Sequence, residues 1–163
     1  MKADAIVYTS NTGFTAQYAQ LLGEKTGLPV YTLAEAPQKA RVVYLSWLMA
    51  GTLVDYKKAA AQFDVVAACS VGLNATAEQA EKTRKVSKIP ASVALFPLQG
   101  GYDESKLQGM YKMIMKLVVK MLIKQISAKA EKTAEDEDML HTLRHGGSYV
   151  KAENLKNVIA WLQ

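Results

Sequence analysis

A chain of 163 residues that is 50% hydrophobic and 21% charged has the balance of one soluble globular domain, large enough to bury a core without disulfides. Its single cysteine, Cys69, excludes an intrachain disulfide and fits a reducing, cytoplasmic compartment; no uncharged apolar run reaches about 18 residues, so neither a spanning helix nor a signal peptide is expected. The net charge of +5 is local: Lys106 to Lys132 carries seven lysines against one acid, Glu131, while the rest of the chain is nearly neutral.

In chain order, Ala3 to Tyr8 reads as a buried strand and Thr15 to about Lys25 as a helix stopped by Gly27 and Pro29. Val30 to Leu33 is a short outer strand, and Arg41 to Ser46 a third strand with a continuous apolar centre. Asp55 to Gln62 reads as a helix and Asp64 to Ser70 as a strand buried on both faces. Thr76 to Ser87 is a charged helix with Thr76 as N-cap, followed by a fifth strand, Ala91 to Leu98. Lys106 to about Lys132 is a long helical stretch with a break near Ser127, and Glu131 to Asp138 a mixed, mostly acidic run. Gly146-Gly147 signals a turn, and Ala152 to Leu162 a last helix. Continuously apolar strands alternating with helices predict an α/β fold: a doubly wound, five-stranded parallel sheet of order 2-1-3-4-5 in a single domain over 1–163. In such a sheet ligands bind beyond the carboxyl ends of the strands, here at the switch between strands one and three.

The segment after the first strand carries the strongest chemical signal. Ser10, Asn11, Thr12, Gly13, Phe14 and Thr15 bridge a strand and a helix start. Hydroxyls flanking a glycine, with consecutive amides at a helix N-terminus, suit a phosphate. No lysine follows the glycine, so a triphosphate loop of the GxxxxGK kind is excluded.

This hexapeptide resembles the S/T-x-T-G-x-T phosphate loop of the flavodoxins, and the flavodoxin resemblance covers nearly the whole chain. It implies non-covalent FMN, with the isoalloxazine held by the loop after strand three (Ser46, Trp47, Leu48, Met49, Ala50, Gly51) and the loop after strand four (Ser70, Val71, Gly72, Leu73). The second half, through Ser70-Val71-x-Leu73, the strand Ala91 to Leu98, Tyr102 and the stretch MYKMIMKLVVKML, is similar to the flavodoxin-type menaquinone-dependent protoporphyrinogen oxidases. The phosphate loop departs from that oxidase and follows ordinary flavodoxins. The resemblance implies an FMN-dependent oxidoreductase passing electrons from a small apolar substrate to a quinone. The alternative is an electron carrier that docks to redox partner proteins, although such carriers are strongly acidic and this chain has a pI near 9.2.

Individual residues carry two readings each. Trp47 either stacks on the flavin or packs over the sheet edge. Tyr102 either covers the outer flavin face or caps a turn. A peptide at Ala50-Gly51 that turns easily would tune the flavin, and a glycine that only bends the loop would not. Cys69 reads as core, and His141 and His145 lack further ligands for a metal, so no metal is expected. No catalytic residue stands out.

Lys112, Lys116, Lys120 and Lys124 recur every four residues and form one stripe on a helix whose remaining arc is apolar. A peripheral contact with an anionic membrane at the inner face, a homodimer contact, a pocket for a quinone or porphyrin, or simple core packing would each accommodate it. No nucleic-acid partner is expected.

Overall fold

The computed structural model describes all 163 residues, which form two compact units: Met1–Gly100 with Val150–Gln163, and Gly101–Tyr149. The first unit is an α/β sheet structure. Its strands are β1 (Ala5–Thr9), β2 (Val30–Thr32), β3 (Arg41–Met49), β4 (Thr52–Leu53), β5 (Asp64–Gly72) and β6 (Ala94–Gln99). The order is β2-β1-β3-β5-β6, with all these neighbours parallel; β4 lies off this path and pairs antiparallel with β3.

The continuous apolar runs are explained by burial on both faces. Ile6, Val43, Leu45, Ala67, Cys69 and Val71 point to one side. They are covered by α1 (Phe14–Thr26), through Phe14, Tyr18, Ala19 and Leu22, and by α6 (Lys156–Leu162), through Val158 and Leu162. Ala5, Val7, Val42, Tyr44 and Ala68 point to the other. There Leu53 and the helix α2 (Tyr56–Gln62) close over them, with Ile89 and Val93. The helix α3 (Ala77–Ser87) ends where Ser87 Oγ accepts a hydrogen bond of 2.8 Å from the Leu53 amide, pinning β4. Thr76 caps α3 as expected, accepting from the Gln79 amide at 3.1 Å.

Several element boundaries differ from expectation, among them the start of the fifth strand, which lies at Ala94 instead of Ala91. The third strand runs on through Trp47, Leu48 and Met49 instead of stopping at Ser46, and the fourth continues to Gly72. The last helix begins as a 3-10 turn at Ala152–Leu155 before α6.

The second unit has a two-stranded ribbon, β7 (Gly101–Tyr102) with β8 (Gly147–Ser148), and two helices, α4 (Gly109–Ser127) and α5 (Ala134–His145). The expected break near Ser127 is the end of α4. The run Glu131 to Asp138 proves to contain a helix start. Thr133 accepts from the Asp136 amide at 3.1 Å and the Asp136 carboxylate accepts from the Thr133 amide at 3.0 Å, a reciprocal capping box. Acids crowd the first turn of α5 because the helix dipole favours them there. No helix of the chain is long and apolar enough to cross a membrane.

Candidate functional site

The turn from β1 into α1 lies at the carboxyl end of the sheet, where the chain leaves β1 for β2 on one side and later returns to place β3 on the other. Gly13 sits at the helix N-cap with φ 97°, a conformation that costs a side chain and costs glycine little. It provides no side-chain cap. Ser10 Oγ reaches forward to accept from the Ala16 amide at 3.3 Å, and the Gln17 amide closes the first helical bond onto Gly13 O at 3.0 Å. The amides of Phe14 and Thr15, in the first turn, have no acceptor within the chain. The first turn of α1 also has no acidic side chain, whereas α3 has Glu78 there and α5 has Glu135, Asp136 and Glu137. As in α2, α4 and α6, no acid of its own first turn offsets the positive end of α1. Ser10 and Thr12 are half-buried and Asn11 is exposed beside it, while Phe14 and Thr15 are buried. Neutral hydroxyls and free amides at a helix N-terminus are groups of the kind that bind an oxyanion.

The segment after β3, expected as a loop, is a tight hairpin. Leu48 pairs with Leu53 and Met49 with Thr52, so Ala50 and Gly51 form a two-residue turn. Both have positive φ, 50° and 80°. This is the type I′ arrangement, whose twist matches the flanking strands. The usual sequence signal for it is Asn-Gly or Asp-Gly, and Ala-Gly hides it. Turning the central peptide over would convert the turn towards type II′, whose first position belongs to glycine. Ala50 occupies that position, so the easy rotation expected from Gly51 is not available.

Alternation along β3 then decides which side chains share a face. Trp47 follows Val43 and Leu45 onto the α1 side and is half-buried at the sheet's end, outside the packed core. Its carbonyl accepts from the Val54 amide at 3.1 Å, which fixes its strand position. Met49 lies beyond it and is 43% exposed. Leu48 faces the opposite side and packs against the core there.

Ser46 and Ser70 face that opposite side as register partners, and Thr9 is Ser46's partner across β1. The structure thus separates these serines from Trp47. Both are closed to solvent, and the Ser70 hydroxyl has no hydrogen-bond partner. Beside them the Tyr44 hydroxyl donates to Val54 O at 2.8 Å and lies 2.9 Å from Thr9 Oγ1, and burial pushes its pKa up. Val71 is buried on the α1 side. Leu73 follows β5, its carbonyl accepting from Gln99 Nε2 at 3.0 Å, while the Gly100 amide donates to Gly72 O at 2.7 Å. A Cβ on Gly100 would sit 2.8 Å from Val71 Cγ1 and 3.5 Å from Phe14 Cβ, so only glycine lets these three segments close together.

A three-residue network at this end of the sheet has no signal in the sequence. Tyr18 of α1 donates its hydroxyl to Gln99 O at 2.5 Å and accepts from Asn154 Nδ2 at 2.7 Å. Burial raises the Tyr18 pKa, which keeps the phenol protonated as a donor. Residues 81 and 136 positions apart cannot be paired by local pattern.

Tyr102 belongs to the second unit, where it pairs with Gly147 and is buried; burial first, then Glu104, raises its pKa. Cys69 is fully buried and its thiol is pushed up to about 12, which removes it as a thiolate at neutral pH. His141 and His145 are one helical turn apart on α5 with ring centroids 4.8 Å apart, and both are exposed. No group of three or more His, Cys, Asp or Glu side chains is placed to hold a metal ion.

No family model, curated protein or solved structure matches the chain.

Proposed function

We propose that this chain is an FMN-binding redox protein of flavodoxin-like fold, acting as an oxidoreductase on a small apolar substrate with a quinone as acceptor. One observation carries the reading: the α1 N-terminus at the β1/β3 switch combines left-handed Gly13, free Phe14 and Thr15 amides and the hydroxyls of Ser10 and Thr12, with no acid in the first turn. With the β4 hairpin set aside, the strand order fits the five-stranded flavodoxin-like arrangement.

In this reading the Phe14 and Thr15 amides and the Thr12 hydroxyl bind the FMN phosphate, and Gly13 allows the backbone to approach it. Ser10 serves the same loop by bracing Ala16. Trp47, half-buried on the α1 side of β3, offers an aromatic face to the isoalloxazine, a contact worth about 0.5–1.5 kcal/mol beyond burial. FMN, when bound, supplies the hydride or electron chemistry, and the protein supplies orientation and exclusion of water. The basic character of the chain as a whole, with a pI near 9.2, favours a small-molecule reaction over docking on basic partners, because acidic carriers dock through the opposite charge.

The test is affinity for FMN against riboflavin by flavin fluorescence, with Thr12→Ala alongside. FMN should bind at least about tenfold more tightly, and Thr12→Ala should weaken FMN while leaving riboflavin unchanged; tenfold corresponds to about 1.4 kcal/mol, the scale of one charge-assisted hydrogen bond. Equal affinity for the two ligands removes the phosphate assignment.

A further inference from the structure

The helix α4 holds more unburied apolar surface than any other element. Of its 19 residues only Val119 is buried. Met110, Met113, Ile114, Leu117 and Met121 are 77%, 68%, 45%, 70% and 52% exposed, five of the eight large hydrophobic side chains that the whole chain exposes. At 100° per residue these five fall within an arc of about 100°, a continuous strip about 16 Å long. Isolated exposed apolar residues are ordinary; a contiguous strip marks a surface that meets something.

Charge selects the occupant. The helix contains no acid, and its four lysines are Lys112, Lys116, Lys120 and Lys124. Stepping about 40° per turn, they run along one edge of the apolar strip and cross into it at Lys124. Lys116 is paired with Glu104 at 3.0 Å; Lys112, Lys120 and Lys124 form no ion pair. A groove of about 440 Å³ beside the strip is walled by Tyr102, Leu117, Val119 and Leu143, with Lys116 and Lys120 also in its lining. A second copy meeting this face in an antiparallel two-fold contact would bring two lysine rows together. The helix is not long and apolar enough to span the bilayer.

We propose that the α4 face docks on the surface of an anionic membrane. The helix lies in the interfacial plane, with its methionines and Leu117 among the upper acyl chains. Lys120 and Lys124 extend their stems along the apolar strip and place their ammonium groups at the lipid phosphates. Flexible methionines suit a fluid partner better than a shaped pocket would. This proposal does not depend on FMN binding.

The test is co-sedimentation of the full chain with phosphatidylcholine vesicles carrying increasing fractions of phosphatidylglycerol, at low and moderate salt. Binding should rise with anionic lipid by about tenfold or more and weaken with salt, as exposed charge contacts do over a Debye length near 8 Å. Lys120→Gln with Lys124→Gln should remove the preference for anionic vesicles. Met113→Gln with Leu117→Gln should abolish binding while leaving the circular dichroism and thermal transition unchanged, because these side chains are exposed. No sedimentation with anionic vesicles at low salt overturns the proposal. Binding that survives Met113→Gln with Leu117→Gln overturns the docking face. A dimer in solution that these two changes dissociate, without vesicle binding, assigns the face to a second copy instead.

Discussion

The sheet unit and the second unit use the same kind of side chain to different ends. In β3 and β5 the residues Val42 to Leu45 and Ala67 to Cys69 lie at 0% exposure, enclosed by helices on both sides. In α4 a comparable density of methionine, leucine and isoleucine leaves one buried side chain. A strand has two faces and the parallel sheet covers both, so every apolar residue there gains from burial. A helix needs only a stripe of about 100° for its own packing, and α4 is apolar over far more than that. The excess does not stabilise the fold, which is why it points to a contact outside the chain.

The largest test of this contrast is a pair of truncations. Leu45→Ala in the sheet should lower stability by about 2–5 kcal/mol, the range for a fully buried leucine. Leu117→Ala on α4 should stay within about 0.5 kcal/mol, as an exposed position does. Urea denaturation followed by circular dichroism measures both. A large loss at Leu117 would mean that α4 is packed in solution and would break the comparison.

A smaller effect sharpens it from within the second unit. The helix α5 combines a buried face, through Leu140 and Leu143, with a capping box at its start. Removing the Thr133 hydroxyl takes away half of the capping box, and Thr133→Ala should cost about 1 kcal/mol. Amide exchange should quicken in the first turn of α5 and remain unchanged in β3. Equal acceleration in both would show that the units open together.

The smallest effect is a pH dependence. The Lys129 ammonium, 2.7 Å from Asp136, and the Thr133 amide hold the Asp136 carboxyl below its usual range. A carboxylate whose folded pKa is depressed stabilises the fold above its unfolded pKa and loses that contribution as pH falls through the folded value. Asp136 is at the surface, so the effect is local: first-turn exchange in α5, corrected for intrinsic rates, should quicken below about pH 4. Asp136→Asn should remove that dependence, and persistence of it would assign the titration to another acid.

The parallel α/β character, the hydroxyl-rich turn around Gly13 and the apolar excess of α4 are legible in the sequence because each rests on short-range pattern. Continuous strand runs, hydroxyls clustered around Gly13 and lysines at every fourth position are properties of neighbours along the chain. The Ala50-Gly51 hairpin is not legible, because local preference opposes positive φ at alanine and only the pairing of β4 with β3, pinned by Ser87, imposes it. The α5 cap was present in the sequence as Thr133 with Asp136, yet it was obscured by the surrounding charges. Ser46 and Ser70, expected in loops that hold the flavin, lie closed to solvent in strands that run longer than their apolar cores. The Tyr18, Gln99 and Asn154 network belongs wholly to tertiary structure, because its hydrogen bonds join segments that only the folded sheet brings together. Sequence determined which segments are apolar and where hydroxyls and lysines cluster. Tertiary structure decided which of those surfaces are covered, since burial depends on the neighbours that long-range packing supplies.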